Sequence, residues 1–219
     1  MGFSCQHCGK CCEDTVVQIN LTFGDIQRLS AGSKKSVAEL FSAGIVGFNP
    51  FFNPESEKYD IELGLNKPCK LRVNGKCSMY HARPLNCRLF PIWLIARAPA
   101  DKLPKILSPG FKCGIGLKLS AAEKKAYRHY SDVLGEILLV ESEKSDKILG
   151  QLKRRFAIPE LDLGTPSEEP GIESGRLAIA TSIISRMGLG KLQEEVIAFI
   201  IKFPCEIRLE QLDSETKKN

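Results

Sequence analysis

Residues 5–12 read Cys5-Gln6-His7-Cys8-Gly9-Lys10-Cys11-Cys12, and with Cys69, Cys77, Cys87 and Cys113 further along they supply eight of the nine cysteines of the chain. A thiol can be a small buried hydrophobe, half of a disulfide, a nucleophile or a metal ligand, and spacing separates these readings. Two residues between cysteines let both sulfurs turn toward one ion while the intervening N–H groups point at the thiolates, as in zinc and iron–sulfur knuckles. Gly9 after Cys8 supports this, because such a knuckle turns through a residue that tolerates positive φ. Isolated buried cysteines would not cluster four in eight residues. Disulfides need an oxidising compartment, whereas Met1 to Ser4 runs into the cysteines without a basic-then-apolar leader. The adjacent pair Cys11-Cys12 is expected to diverge, so that its sulfurs serve two metals or different irons. Eight thiols divide into two metal ions, two cubane clusters, or one cluster plus one zinc, and the spacing does not choose among them.

The chain has 219 residues, 43% hydrophobic and 26% charged, the balance of a soluble globular protein with a core of its own. Its longest apolar stretches, Ile137–Val140 and Val196–Ile201, fall far short of the ~20 residues of a membrane span, so no membrane role and a cytoplasmic location are expected. The net charge of +5 is concentrated between Cys69 and Cys113, where nine basic residues, Lys70 to Lys112, face the single acid Asp101. Such a block can bind a polyanion. It can equally offset the negative charge of eight metal-bound thiolates. The second reading is favoured, and nucleic acid is disfavoured, because only Tyr80, Phe90, Trp93 and Phe111 are available there for base stacking.

The expected architecture is α+β: a small cysteine-rich domain over 1–119 with short strands and helices, then a helical extension over 120–219 with a loop at 157–175. Thr15 to Leu21 has the β-branched content of a strand. Thr22 with Asp25, Ser36 with Glu39 and Ser120 with Glu123 are capping-box signatures for three helices, the last running to about Phe156 with a break near Ser145. Asn49 to Ser56, carrying Pro50 and Pro54, reads as a loop, and Tyr59 to Leu63 as a short strand. Asn74-Gly75 is the strongest hairpin signal. It would pair Val73 with Lys76, Arg72 with Cys77 and Cys69 with Tyr80, leaving Cys69 and Cys77 on opposite faces unless a bulge intervenes. Pro84 suits the start of a short helix bearing Cys87, Ile92 to Ala96 reads as a buried strand, and Cys113-Gly114-Ile115-Gly116 as a second knuckle. Helices are expected over Arg176–Met187 and Lys191–Ile201.

The pattern Cys5-x-x-Cys8-Gly9-x-Cys11-Cys12, then Cys69, then Cys77-x-x-Tyr80-x-x-Arg83-Pro84-x-x-Cys87-Arg88-x-Phe90-Pro91, and finally Cys113-Gly114-x-Gly116 resembles the YkgJ-type cysteine-cluster family, also called CxxCxxCC or the zinc- or iron-chelating domain. The resemblance covers roughly the first 117 residues. It implies a metal or iron–sulfur protein of prokaryotic type, and a related domain in flagellin lysine N-methylases brings methyl transfer into view. Tyr80, Arg83 and Arg88 fall on positions of the family pattern, as substrate-facing groups or as braces around the thiolates.

The expected ligands are therefore Cys5, Cys8, Cys11, Cys12, Cys69, Cys77, Cys87 and Cys113, holding an iron–sulfur cluster, with 4Fe-4S favoured, or zinc. Of the three histidines, His7 and His81 are reserve ligands and His129 a helix-surface residue, while Cys205 reads as a structural thiol. Neither the radical-SAM spacing C-x3-C-x2-C nor a phosphate loop or dinucleotide turn is present, and Thr15 stands where a ferredoxin run needs its fourth cysteine. The leading function is electron transfer or a cluster-dependent modification with a redox or protein partner. The rivals are a non-catalytic zinc module that recruits a partner or nucleic acid, and a metal-handling or assembly protein.

Overall fold

The computed structural model describes residues 9–13, 18–90, 92 and 120–204. Cys5, His7, Cys8, Trp93, Cys113 and Cys205 lie outside the described residues, as do most of the expected strand at Ile92–Ala96 and the second knuckle. The described elements run in the order α1 (Lys10–Glu13), α2 (Phe23–Ser33), α3 (Val37–Ser42), β1 (Val46–Asn53), β2 (Lys58–Leu65), β3 (Arg72–Val73), β4 (Lys76–Cys77), a 3-10 turn (Tyr80–Ala82), α4 (Leu85–Leu89), α5 (Ala121–Arg155), α6 (Pro170–Arg186) and α7 (Gly190–Lys202). Mixed helices and short antiparallel strands thus precede a run of helices. Among the described residues no helix is long and apolar enough to cross a membrane.

All three capping boxes form, with the side chains of Thr22, Ser36 and Ser120 each accepting the N–H of the acidic residue three positions on. The break near Ser145 does not: α5 is one helix of 35 residues. Ser145 is buried, and its hydroxyl accepts the Phe23 N–H at 3.0 Å, so this residue ties two helices together and does not unwind its own.

Of the loop expected at Asn49–Ser56, Pro54–Ser56 form a turn, but Asn49–Asn53 belong to β1, which pairs antiparallel with β2 from Val46–Leu65 to Asn53–Lys58. Pro50 is tolerated because of register. The groups of Tyr59, Leu63 and Leu65 bond away from β1, to Leu161, Leu21 and Ile19. Ile61, in phase with them and opposite Pro50, therefore asks for no donor from β1. Pro50 is also buried, where an N–H directed away from the ladder would need a partner that proline does not require. The Thr15–Leu21 expectation survives in part: 18–21 are described, and Asn20 forms an isolated bridge to Gly64.

The helices after Ser120 share one core with the helices before it. Leu149 and Leu152 of α5 and Leu192, Val196 and Ile200 of α7 pack with Phe23, Ile26, Leu29 and Leu40. A second cluster seats Leu177, Ala180 and Ile184 of α6 on Tyr59 and Ile61 of β2, and a third joins Leu85 of α4 to Tyr130, Leu134 and Ile137 of α5. The loop expected at 157–175 is shorter. Pro170 occupies the first turn of α6, where a missing N–H costs nothing, and Leu161 exchanges two backbone bonds with Tyr59.

Candidate metal centre

Among the described residues, every segment that brings a thiol to the site is too short to stand alone. In the N-terminal knuckle Gly9 adopts φ +81°, and its carbonyl accepts the N–H groups of Cys12 and Glu13, closing the single turn of α1. The Cys12 carbonyl in turn accepts the Cys69 N–H at 2.7 Å, which fastens the knuckle to the approach to β3. Between β3 and β4, Asn74 and Gly75 both have positive φ, and the register is Arg72–Cys77 and Val73–Lys76.

That ladder ends after two residues a side. Cys69 lies in the turn before β3, its carbonyl accepting the Arg72 N–H, and Tyr80 begins the 3-10 turn, so the two never pair. The face rule for strands consequently does not reach Cys69. Instead Cys11, Cys12, Cys69, Cys77 and Cys87 line one cavity of about 60 Å³, together with Lys67, Tyr80, Arg83, Pro84 and apolar Ile19, Leu65, Leu71, Met79 and Phe90.

Cys11 and Cys12 do not diverge either. Their sulfurs are 3.9 Å apart. Two sulfurs bound to one tetrahedral zinc at Zn–S 2.3 Å stand about 3.8 Å apart, so this pair can share an ion. All five described cysteines are free thiols. Among the described residues no group of three or more His, Cys, Asp or Glu side chains stands close enough to hold a metal ion, although the five thiols line the same cavity.

The cations around the cavity hold backbone as well as charge. Lys67 donates to the Cys11 carbonyl, and Arg72 pairs with Glu13. Arg83 lies over the Tyr80 ring at 3.8 Å and donates to the Tyr80 carbonyl. Arg88 is buried and points elsewhere: its guanidinium donates to the carbonyls of His81 and Arg83, bracing the 3-10 turn against α4. Of the three family-pattern residues, the structure therefore brings Tyr80 and Arg83 to the cavity and makes Arg88 a scaffold. His81 and His129 are exposed and do not line it.

The environment splits the thiols electrically. The hydrogen bond shared with Cys11 lowers Cys12 to about 6 against the cost of burial, with Lys67 and Arg72 pulling the same way as the bond. The same contact raises Cys11. Burial raises Cys69 and Cys77 and pushes Cys87 up to about 12. A metal entering the cavity would displace protons from these thiols.

Behind the cavity stands a buried ionic network that sequence reading missed. Asp25, fully enclosed, accepts the Leu85 N–H at 2.9 Å and Arg28 at 2.7 Å. Arg28 also forks onto both carboxylate oxygens of Glu141 at 2.7 Å, and Glu141 accepts the Thr22 hydroxyl at 2.6 Å. The Leu85 N–H opens α4, so this network sets the helix that carries Cys87. Burial raises the Asp25 carboxyl while Arg28 opposes the shift. The capping signature at Thr22–Asp25 was visible in the sequence. Its long-range partners, Leu85 at 60 residues from Asp25 and Glu141 at 119 from Thr22, left no local signal. Lys67 was missed because it lies outside the Cys69–Cys113 block, although it is two residues from a ligand candidate.

The sequence model of the CxxCxxCC family, described as "Putative zinc- or iron-chelating domain", matches residues 4–114. No solved structure matches the chain.

Proposed function

The chain belongs to the CxxCxxCC family, and on that premise we propose that its metal centre is an iron–sulfur cluster, 4Fe-4S in type, serving electron transfer or a cluster-dependent modification such as methyl transfer. The observation that carries this reading is the convergence of five thiols from four separate segments on one cavity flanked by Lys67 and Arg83. Five exceed the four that a closed zinc site takes, and Cys5, Cys8 and Cys113 add to the supply. Cys11, Cys12, Cys69, Cys77 and Cys87 would hold the centre. A bound cluster would supply one-electron chemistry, tuned by the cations and apolar walls around its thiolates. Tyr80 and Arg83, at the cavity and partly open to solvent, are the groups placed to meet a substrate or redox partner.

A second reading, one zinc ion, is favoured by the 3.9 Å spacing of Cys11 and Cys12, which suits two corners of a tetrahedron. Anaerobic purification followed by iron, acid-labile sulfide and zinc analysis decides between them. The proposal expects a coloured protein with iron and sulfide in equal amounts, and loss of only part of the metal in Cys12→Ser. A colourless protein with one zinc per chain would overturn it.

A further inference from the structure

Among the described residues the thiol cavity is lined by two cations, Lys67 and Arg83, and by no Asp or Glu. The chain itself carries no acid between Glu62 and Asp101. An occupied site here is anionic. Four thiolates around one divalent ion leave a net charge of about −2, and a cubane with a doubly positive core leaves the same. In a half-buried cavity solvent screens that charge poorly, so cations of the protein have to meet it.

The cations near the thiols are not equivalent. Arg72 is paired with Glu13, so its charge is already met. Lys70 turns its ammonium to the Ala43 carbonyl, and Lys76 is exposed beside the Asn74-Gly75 turn of the hairpin. Arg83 lies on the Tyr80 ring and gives its Nε proton to the Tyr80 carbonyl. Lys67 differs from all four. It is half-buried, and its ammonium gives one proton to the Cys11 carbonyl, a bond that seats the charge beside the first pair of thiols. It has no carboxylate partner and no second hydrogen bond among the described residues. An ammonium carries three donors, so two remain on a residue that lines the cavity. Its field also reaches across the site. Burial raises the thiols of both Cys69 and Cys87, which come from different segments, and Lys67 opposes the rise at each.

We propose that Lys67 is the counter-charge of the metal centre, a positioning residue whose ammonium retains the metal by offsetting the charge of the bound thiolates. This rests on the reading of the cavity as a metal centre, and it holds for iron and zinc alike because either leaves the thiolates in excess.

The test is metal release from the full-length protein, isolated anaerobically with its own metal, into excess chelator, with the iron and zinc left on the protein followed in time. Lys67→Met removes charge and donor together. Lys67→Gln keeps a donor for the Cys11 carbonyl without the charge, and Lys67→Arg keeps the charge. The first two should lose metal at least about tenfold faster than the wild type, with Lys67→Arg close to it. The Gln and Arg variants decide the matter even where Lys67→Met does not fold. Lys76→Met, which takes one cation from an exposed position of the hairpin, should release metal as the wild type does. In an iron-loaded protein Lys67→Gln should also move the midpoint potential to a more negative value, a change that a mere backbone brace would not produce. Release from Lys67→Gln as slow as from the wild type would make Lys67 a hydrogen-bond brace and overturn the proposal. Rapid release from Lys67→Arg, or equal acceleration by Lys76→Met, would overturn it as well. Metal and sulfide analysis of the wild type tests the underlying reading separately. Zinc without sulfide would overturn the cluster and leave the Lys67 effect to be read from zinc release, whereas a protein holding neither metal would remove the centre and its counter-charge together.

Discussion

The seam between α2, α5 and α7 and the rim of the thiol cavity are built on opposite principles. At the seam Phe23, Ile26, Leu29, Val196 and Ile200 have no exposed surface, and regular helices satisfy their own backbone. At the rim the elements are four, two, two, three and five residues long, and Lys67, Arg83 and Arg88 donate to backbone carbonyls that no helix or sheet satisfies. Hydrocarbon holds the first region. Cations and, on the proposed reading, thiolate–metal bonds hold the second, where short segments bury too little apolar surface to offset their own ordering entropy.

The contrast breaks most forcefully at the buried network that joins the two regions. Glu141→Ala leaves Arg28 enclosed with one carboxylate fewer, and should cost about 3–5 kcal/mol in urea unfolding. Because α5 and α7 share a core with α2 and α3, that unfolding should be a single transition reported alike by helix signal and metal loss. Two separate transitions would support a division of the chain at 119/120.

Chelation should affect the rim far more than the seam. After metal removal, protease cuts are expected between about residues 66 and 83, with α5 to α7 spared. A cleavage pattern identical with and without metal would show that the cations alone hold the rim.

The metal-free rim should next fail at high pH. The Cys87 thiol is raised by burial from 9.0 to about 12 in the folded chain, so its contribution is complete below pH 9 and is lost as pH rises toward 12. Unfolding midpoints of the chelated protein should fall over that window, and Cys87→Ala should flatten the decline. The smallest effect is expected from Arg83→Ala. Loss of its stacking on Tyr80 should cost roughly 0.5–1 kcal/mol, yet shift the absorption or potential of the bound centre. A stability loss without any change at the centre would reduce Arg83 to a brace like Arg88.

What the sequence disclosed follows the same divide. The three capping boxes and the runs of α5 to α7 were legible because each is written in residues three or four apart. The strand through Pro50 was not, since proline reads as a breaker until the register shows that no ladder bond is asked of it. The convergence of Cys69 with Cys77 was also hidden. Strand alternation describes their separation only while the strand lasts, and here it lasts two residues. The Asp25–Arg28–Glu141 network joins charges that, read along the chain, resemble ordinary helix-surface residues.

Asp25 binding the Leu85 N–H while Arg28 binds Glu141 also has a consequence in time. During synthesis every thiol up to Cys113 is polymerised before Glu141 has been added to the chain. The ion set that fixes the start of α4 cannot close until α5 has been made and has docked on α2. Cys87 is therefore brought to its final place late, by a residue translated 54 positions after it. A nascent chain offers its knuckle to metal early, whereas the finished cavity belongs to a chain released or nearly so.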